Sequence, residues 1–476
     1  MKVCVLQPDY STTGVDYKHY DPPRNLSSLL PEHQVDHVFL NKLTTYRQLK
    51  ELSKQGYDIF VNLCEGYPEW EVPGVDVIHS LETLQLPFTG PTSKLYDVPK
   101  ALLKYVAYCE NVATPPYKLI ETEADIAGLS ESLSFPLFVK PAHAGDSLGV
   151  DDQSLVNDPG ALEIKCKSLL QQYGSVLVEK YIAGREFTVL VAANKTPDTC
   201  TSFKPVEYIF PAGKQFKTYS LKTSELHPSA NIPCNDVAIE KRLRESSEKI
   251  FKTAGCVGYG RLDFRMDAAG NLYFLEMNLT CSVFYTDGYE GSADFVLKYD
   301  PIGQAGFLKH IIDEGIARHQ AQQKPFRVKG DAIAGYGVYA NKSLGVGEIV
   351  FLGEGKSQRM ITRREVERNW NEEDKLTFRR YAYPISEEVF VLWDKDPAEW
   401  APQNHSCDAN TRFDGLNVVT TRPVAKNEEL TLNYGEFLDA SMEPFDCRCG
   451  AKNCKGKIVG TPNNTLTSRE QKAKRN

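Results

Sequence analysis

Three cysteines fall within eight residues near the end of this 476-residue chain, as Cys447-x-Cys449-x4-Cys454, and thiols this close cannot all pair with one another. A fourth, Cys407, ends the run Asn404-His405-Ser406-Cys407. Four thiolates complete a closed tetrahedral zinc site, so Cys407, Cys447, Cys449 and Cys454 are expected to hold one Zn2+. Between the two segments lie Asn410 and the run ELTLNYG at 429–435.

The remaining eight cysteines (Cys4, Cys64, Cys109, Cys166, Cys200, Cys234, Cys256, Cys281) have no repeating spacing and read as reduced core thiols of an intracellular protein, cytoplasmic or nuclear. The opening, MKVCVLQPDY, is too short and polar for a secretory signal and reads as a buried strand over Lys2–Leu6. No stretch approaches a membrane span, so no membrane partner is expected. From Lys324 onward 24 basic residues face 22 acidic ones, which leaves 31 against 41 in the rest. An acidic body argues against direct nucleic-acid binding. The basic end, Ser468–Asn476, reads as a solvated tail, with a weak nuclear-localisation signal as the alternative.

The first ~320 residues alternate short apolar strands with helical patterns, the signature of α/β units. Strands are expected at Tyr57–Leu63, Leu137–Lys140, Val176–Lys180 and Phe187–Ala193. Helices are expected at Val77–Leu86, Lys100–Cys109, Arg242–Thr253 and Gly306–Gln323. The turn Asp267–Asn271 predicts a hairpin of Arg261–Met266 with Leu272–Met277. A polar linker follows near Arg318–Pro325, and beyond it short β-rich segments and turns take over.

Four elements in order resemble the ATP-grasp ligases of the D-alanine–D-alanine ligase-like branch. They are Asn62–Gly66 with Leu81–Gly90, Phe138–Val150, Val178–Phe187, and Gly260–Phe264 with Glu276–Asn278. The resemblance implies an α/β ATP-grasp fold over roughly residues 1–315, with ATP and Mg2+ as ligands. Lys140 would supply a strand-borne cation for phosphate oxygens, and the loop from Gly145 through Ser147 to Gly149 would close its amides over them. Lys100 and Lys222 fall at further phosphate positions, although a plain surface lysine is an even alternative for each. Glu179 falls at the adenine-reading position and Glu186 at the ribose position. Asp263, Glu276 and Asn278 offer hard oxygens for Mg2+, and Arg261 can stabilise charge on the transferring phosphoryl. The sequence departs from the family after Asn278, where Leu279-Thr280-Cys281-Ser282 has neither the proline nor the glycine of the ligases, and in the first loop, Pro8–Gly14. D-alanine is therefore not the expected substrate; an acyl-phosphate-forming ligase for another carboxylate and amine is.

Residues 327–460 resemble SET-domain methyltransferases with a post-SET zinc module: a mostly-β fold with a pseudoknot. Gly335-Tyr336-Gly337 matches the strand that approaches S-adenosylmethionine, Asn404 and His405 match residues that hold this cofactor, and Tyr434 matches the catalytic tyrosine. Methyl transfer needs a neutral amine, a linear approach and a dry channel, with Tyr381, Tyr383, Trp393 and Phe437 as candidate walls. No cysteine-rich segment precedes the domain, so histones are not the expected acceptor.

The expected organisation is residues 1–95 and 96–315 as the lobes of an ATP-grasp part, a linker at 316–326, a SET domain at 327–440, a post-SET zinc module at 441–462 and a tail at 463–476. The expected protein is a fusion of an ATP-dependent carboxylate–amine ligase and a SET lysine methyltransferase acting on a protein lysine or a small-molecule amine. A homodimer through the ATP-grasp part is one arrangement. Two alternatives stay open: a protein-lysine methyltransferase whose ATP-grasp part only binds nucleotide or substrate, and a biosynthetic fusion in which the ligated small molecule accepts the methyl group.

Overall fold

The computed structural model describes residues 1–14, 21–67, 70–143, 148–211, 213, 215–216, 230–331, 335–355, 359–392 and 403–462. Ser147, Lys222, Trp393 and the basic tail lie outside the described residues. The chain divides into two compact units between Ala321 and Gln322.

The first unit opens with parallel strands β1 (Lys2–Pro8), β2 (Gln34–Leu40) and β3 (Ile59–Asn62) in the order β2-β1-β3, with helices α1 (Thr45–Leu52) and α2 (Val75–Thr83). Val3 and Val5 of β1 pack into one apolar cluster and Cys4 and Leu6 into another. Burial on both faces explains why this strand reads as a continuous apolar run.

Helix α3 (Lys100–Cys109) leads into an antiparallel sheet of β4 (Tyr117–Ile120), β5 (Leu137–Pro141), β6 (Leu155–Val156) and β7 (Val176–Lys180), ordered β4-β7-β5-β6. A short helix α4 (Leu129–Ser132) and the longer α5 (Pro159–Tyr173) accompany it. Asp158 caps α5 by accepting the Ala161 N–H, with Pro159 at the first helical position. The third sheet contains β8 (Arg185–Ala193), β9 (Cys200–Ser202), β10 (Val206–Tyr208), β11 (Asn231–Pro233), β12 (Tyr259–Met266) and β13 (Leu272–Asn278), with β11-β10-β8-β12-β13 as its path. Helix α6 (Val237–Thr253) joins α3 and the inward face of this sheet in one apolar cluster. The chain passes from the second sheet to the third at Gly184, with φ +137°; a Cβ there would lie 2.1 Å from the Met266 carbonyl oxygen, so only glycine fits.

After α7 (Ser292–Tyr299), α8 spans Gly303–Gln322. Most of the stretch expected as a linker, 316–326, is therefore helix. Arg318 pairs with Glu314 one turn earlier (3.5 Å) and donates to the carbonyls of Phe88 (2.7 Å) and Gly90 (2.9 Å), which fastens the helix end to the first unit.

The second unit is built of short strands: β14 (Phe326–Asp331), β15 (Gly335–Ala340), β16 (Ile349–Phe351), β17 (Arg359–Thr362), β18 (Tyr383–Pro384), β19 (Val389–Leu392), β20 (Asn404–His405), β21 (Thr411–Asp414), β22 (Asn417–Thr420), β23 (Thr431–Leu432), β24 (Phe445–Asp446) and β25 (Lys457–Ile458). Helices α9 (Arg363–Asn369) and α10 (Glu372–Tyr381) are inserted between β17 and β18. The main sheet runs β16-β22-β21-β23-β20, and β20 lies parallel to β23, which brings Asn404 and His405 beside Thr431 and Leu432. One core cluster joins these strands, from Phe326 through Cys407 and Tyr434 to Ile458. Among the described residues no helix is long and apolar enough to cross a membrane.

Candidate functional site

In the first unit a partly open cleft is lined by residues of the second and third sheets and by Lys100 at the start of α3. Alternation along paired strands sets the polar face from which Asp263 and Glu276 line it. Arg261 and Asp263 on β12 stand opposite Asn278 and Glu276 on β13, so all four share one face. Arg261 pairs with Asp263 (3.2 Å), whose Oδ1 also accepts the Thr188 hydroxyl (2.6 Å). Asn278 Nδ2 is buried without a hydrogen-bond partner. Two carboxylates and an amide oxygen on one face are a donor set that suits Mg2+.

Lys140 on β5 reaches Glu179 (2.8 Å) and Glu276 (3.7 Å). Burial pulls its ammonium down, but the two carboxylates outweigh this and hold it above the usual lysine range. Burial pushes Glu179 up, and the lysines on either side outweigh that in turn. The second of those lysines is Lys104, 1% exposed and 2.8 Å from Glu179. Sequence reasoning missed it. Lys104 lies one turn beyond Lys100 on the same face of α3, and that spacing was the available signal. Lys100 is also buried, and burial lowers both it and Lys104, with Glu276 and Glu179 opposing. The three buried ammonium groups cluster against Glu179 and Glu276, with Asp97 and Asp263 as further carboxylate neighbours. Clustered ammonium groups offer charge-assisted hydrogen bonds that phosphate oxygens can accept. Glu186, opposite Arg265 on β12, completes the far end of the cleft.

The departure after Asn278 has a structural counterpart. Cys281 is buried, and the Ser282 hydroxyl donates to Glu65 (2.6 Å) in the loop after β3. Arg24, 3% exposed, lies between Glu65 (3.7 Å) and Asp21 (3.4 Å) and donates to the carbonyls of Leu63 and Val283. Tyr285 donates its hydroxyl to Asp21 (2.5 Å), as does Tyr10. An ionic and phenolic network occupies this end.

In the second unit Gly335 has φ +86°, and a Cβ on Gly337 would meet the Tyr339 ring at 2.8 Å and Glu429 at 2.9 Å. Asn404 donates its amide to the Tyr336 carbonyl (2.9 Å) and to Glu429 (2.8 Å), so its side chain braces the Gly335–Gly337 strand. Tyr434 is 6% exposed and donates its hydroxyl to the Gln403 carbonyl (2.5 Å). Burial, with Tyr381 and Tyr336 nearby, pushes this phenol well above its ordinary range. It stays protonated and acts as a fixed dipole rather than a base. With the proton directed at Gln403, the hydroxyl oxygen keeps its lone pairs for an electropositive partner. Of the aromatic walls, Tyr383 and Phe437 are buried, Tyr383 donating to the Gly415 carbonyl (3.0 Å), and Tyr381 is 37% exposed.

The His405 ring lies beside the cysteine cluster. His405, Cys407, Cys447 and Cys449 place their donor atoms within 4.8 Å of one another, and the Cys454 thiol bonds to those of Cys447 and Cys449. Five donors therefore crowd a space for four. His405 Nδ1 accepts the Tyr434 backbone N–H (3.1 Å), which leaves the neutral ring's proton on Nε2, 3.4 Å from the Cys407 sulfur. With Nδ1 so engaged, His405 is placed to donate to the Cys407 sulfur, and the four cysteine thiols form the candidate ligand set. The backbone N–H groups of Lys455 and Cys407 point at the Cys407 and Cys449 sulfurs (3.4 Å each). Burial pushes Cys449 up, but N–H donors from Cys407 and Ala451 and the neighbouring thiols outweigh it and hold it down to about 6. The set suits a closed Zn2+ site.

Comparison with known proteins agrees with this geometry. The family described as D-ala D-ala ligase C-terminus matches residues 110–283, and the SET domain family matches residues 335–435. The D-alanine--D-alanine ligase B of Chromobacterium violaceum is 30% identical over 234 residues, covering 49% of this chain and 73% of the relative. The D-alanine--D-alanine ligase of Dechloromonas aromatica is 31% identical over 202 residues, 42% of this chain and 64% of the relative. The solved D-alanine-D-alanine ligase of Coxiella burnetii shares the fold with a TM-score of 0.50 at 17% identity, over 68% of this chain and 97% of its own. The chain is a fusion of an ATP-grasp unit and a SET domain, two enzyme classes in one polypeptide. Through its first unit it belongs to the D-alanine–D-alanine ligase family.

Proposed function

We propose that the first unit is an ATP-dependent carboxylate–amine ligase and the second an S-adenosylmethionine-dependent lysine-type methyltransferase. The observation that carries the ligase reading is the buried cluster of Lys100, Lys104 and Lys140 beside the shared face of Arg261, Asp263, Glu276 and Asn278. Asp263, Glu276 and Asn278 would hold Mg2+, which would supply charge neutralisation for the phosphates. The lysines bind the phosphate oxygens, Glu179 reads the adenine and Glu186 the ribose. A substrate carboxylate oxygen bonds to the γ-phosphorus as the bond to ADP breaks. The amine nitrogen then bonds to the acyl carbon, phosphate leaves, and a proton is lost. Arg261 stabilises the negative charge in both steps.

In the second unit the acceptor amine, as its free base, bonds to the methyl carbon as the carbon–sulfur bond breaks. S-adenosylhomocysteine leaves, and the alkylated ammonium loses a proton to solvent. Tyr434 orients the amine and the methyl group, and the Gly335–Gly337 backbone with Asn404 supports the cofactor. Cys407, Cys447, Cys449 and Cys454 hold the post-SET segment through Zn2+. Cys449→Ser should lower bound zinc from about one ion per chain to near none and make residues 441–462 protease-sensitive; full zinc content in that variant removes the assignment.

The ionic network of Arg24, Asp21, Glu65 and Ser282 favours a second reading, in which the first unit binds nucleotide without ligating. The experiment that separates them incubates the full chain with labelled S-adenosylmethionine and cell extract, with and without ATP. Label on protein in both cases supports the second reading. Label on a small molecule that forms only with ATP supports ligation followed by methylation. ATP-dependent ADP release with label on protein supports two separate enzymes.

A further inference from the structure

Arg265 sits two residues beyond Asp263 on β12, directly across the ladder from Glu186 on β8, and lines the same cleft. It is 3% exposed. Its Nε and Nη2 both donate to Glu186 Oε2 (3.2 and 2.9 Å). Nη1 donates to the Tyr181 hydroxyl (2.7 Å) and the Ile182 carbonyl (2.8 Å), and Nη2 to the Gln215 carbonyl (2.5 Å). The guanidinium lies over the rings of Tyr181 (4.8 Å) and Phe210 (5.3 Å). Every arm of the group is held, so its position is set by four separate segments: β8, the turn after β7, residue 215 and its own strand.

An ion pair this deep adds little stability over an apolar pair of the same volume, because desolvation offsets the attraction. What it does supply is geometry. A carboxylate with two N–H donors fixed on one oxygen has its rotation about the Cγ–Cδ bond stopped. With Oε2 fixed, the orientation of the whole carboxylate at the cleft wall is fixed with it, and a hydroxyl acceptor held in one orientation discriminates more sharply than one that can swing away.

We propose that Arg265 is a positioning residue that aims the Glu186 carboxylate at the ribose hydroxyls and so makes the cleft select a ribonucleoside triphosphate over its 2′-deoxy form. The proposal rests on the nucleotide reading of the cleft. Neither a plain core role nor a plain phosphate contact accounts for the arrangement. A core role would be met by an apolar side chain, and the guanidinium is directed at a carboxylate and carbonyls rather than at the lysine cluster.

The test is calorimetric titration of the full chain in Mg2+ with ATP and with 2′-deoxyATP, for the wild type, Arg265→Lys, Arg265→Met and Glu186→Gln, with thermal melting as the check on folding. The wild type should prefer ATP by about tenfold or more. Arg265→Met should bring the preference close to one while 2′-deoxyATP affinity stays within about threefold of wild type, and Arg265→Lys should fall between. Glu186→Gln should also reduce the preference. Arg265→Met with the wild-type ratio overturns the proposal, and so does an equal loss of affinity for both nucleotides, which is what a purely structural role gives. If Arg265→Met does not fold, Arg265→Lys is read by the same ratio, and an unchanged ratio overturns the proposal. A wild type that binds both nucleotides equally overturns it while the nucleotide reading stands. A wild type that binds neither removes the nucleotide reading itself.

Discussion

Tyr434→Phe should lower methyl transfer by about a hundredfold or more, with S-adenosylmethionine affinity nearly unchanged. The hydroxyl is the single polar atom removed, and it is fixed by the Gln403 carbonyl at 2.5 Å inside a buried cluster. A dipole already oriented needs no reorganisation when charge shifts from sulfur to nitrogen, which is why its loss falls on rate rather than on cofactor binding. The ring contacts with His405, Phe437 and Phe445 remain in the variant, so the fold should hold. Because burial keeps the phenol protonated, the pH–rate profile of the wild type should show no inflection from Tyr434 below about pH 10. Single-turnover rates on the labelled acceptor and a parallel cofactor titration check both statements. A wild-type rate in Tyr434→Phe would show that this tyrosine has no catalytic role.

Lys140→Ala should weaken ATP binding by roughly 10- to 100-fold, the range expected for one buried charge-assisted phosphate contact. Lys140 connects both halves of the cleft, reaching Glu179 on β7 and Glu276 on β13. Its removal leaves Glu179 with Lys104 at 2.8 Å and Glu276 with Lys100 as a charge neighbour, so neither carboxylate is abandoned and unfolding is not the expected result. The loss falls on the ligand, which no longer meets the cation that the two carboxylates keep charged. Titration of the variant beside its melting curve distinguishes the two effects. Unchanged affinity in a folded variant would place the phosphates elsewhere.

Elements defined by local pattern were legible in the sequence. Lys100–Cys109 and Val176–Lys180 fall where periodicity and the adjoining turns put them, and the hairpin around Asp267–Asn271 is extended by only a few residues. The turn carries its own explanation: Asp267 accepts the Asn271 N–H (2.8 Å), and Gly270 takes the positive φ. What was not legible depends on long-range partners. Strand β2 is mostly half-exposed and reads as polar, and only pairing with β1 makes it a strand. Helix α8 was expected over Gly306–Gln323 and spans Gly303–Gln322, but the anchoring of its end by Arg318 on the carbonyls of Phe88 and Gly90, more than two hundred residues away in sequence, was not legible.

The sites divide in the same way. Motif residues were read directly, but their helpers were not. Lys104 repeats Lys100 at helical spacing, and Arg265 continues the alternation of Arg261 and Asp263 along one strand face, so both carried a periodic signal. The contact of the His405 ring with the Cys407 thiol had no such signal. It follows from β20 lying parallel to β23, which sets the imidazole beside the Tyr434 N–H and leaves its other nitrogen on Cys407.

The most direct test of the two-site account is a pair of calorimetric titrations on the full chain, with ATP in Mg2+ and with S-adenosylmethionine, each repeated with the other ligand present at saturation. The account predicts one site per chain for each ligand, with both occupied together, because the cleft lined by Lys100 and Lys140 and the Gly335–Gly337 strand belong to different units. Absence of ATP binding at millimolar concentration, absence of cofactor binding, or competition of the two ligands for a single site would contradict it.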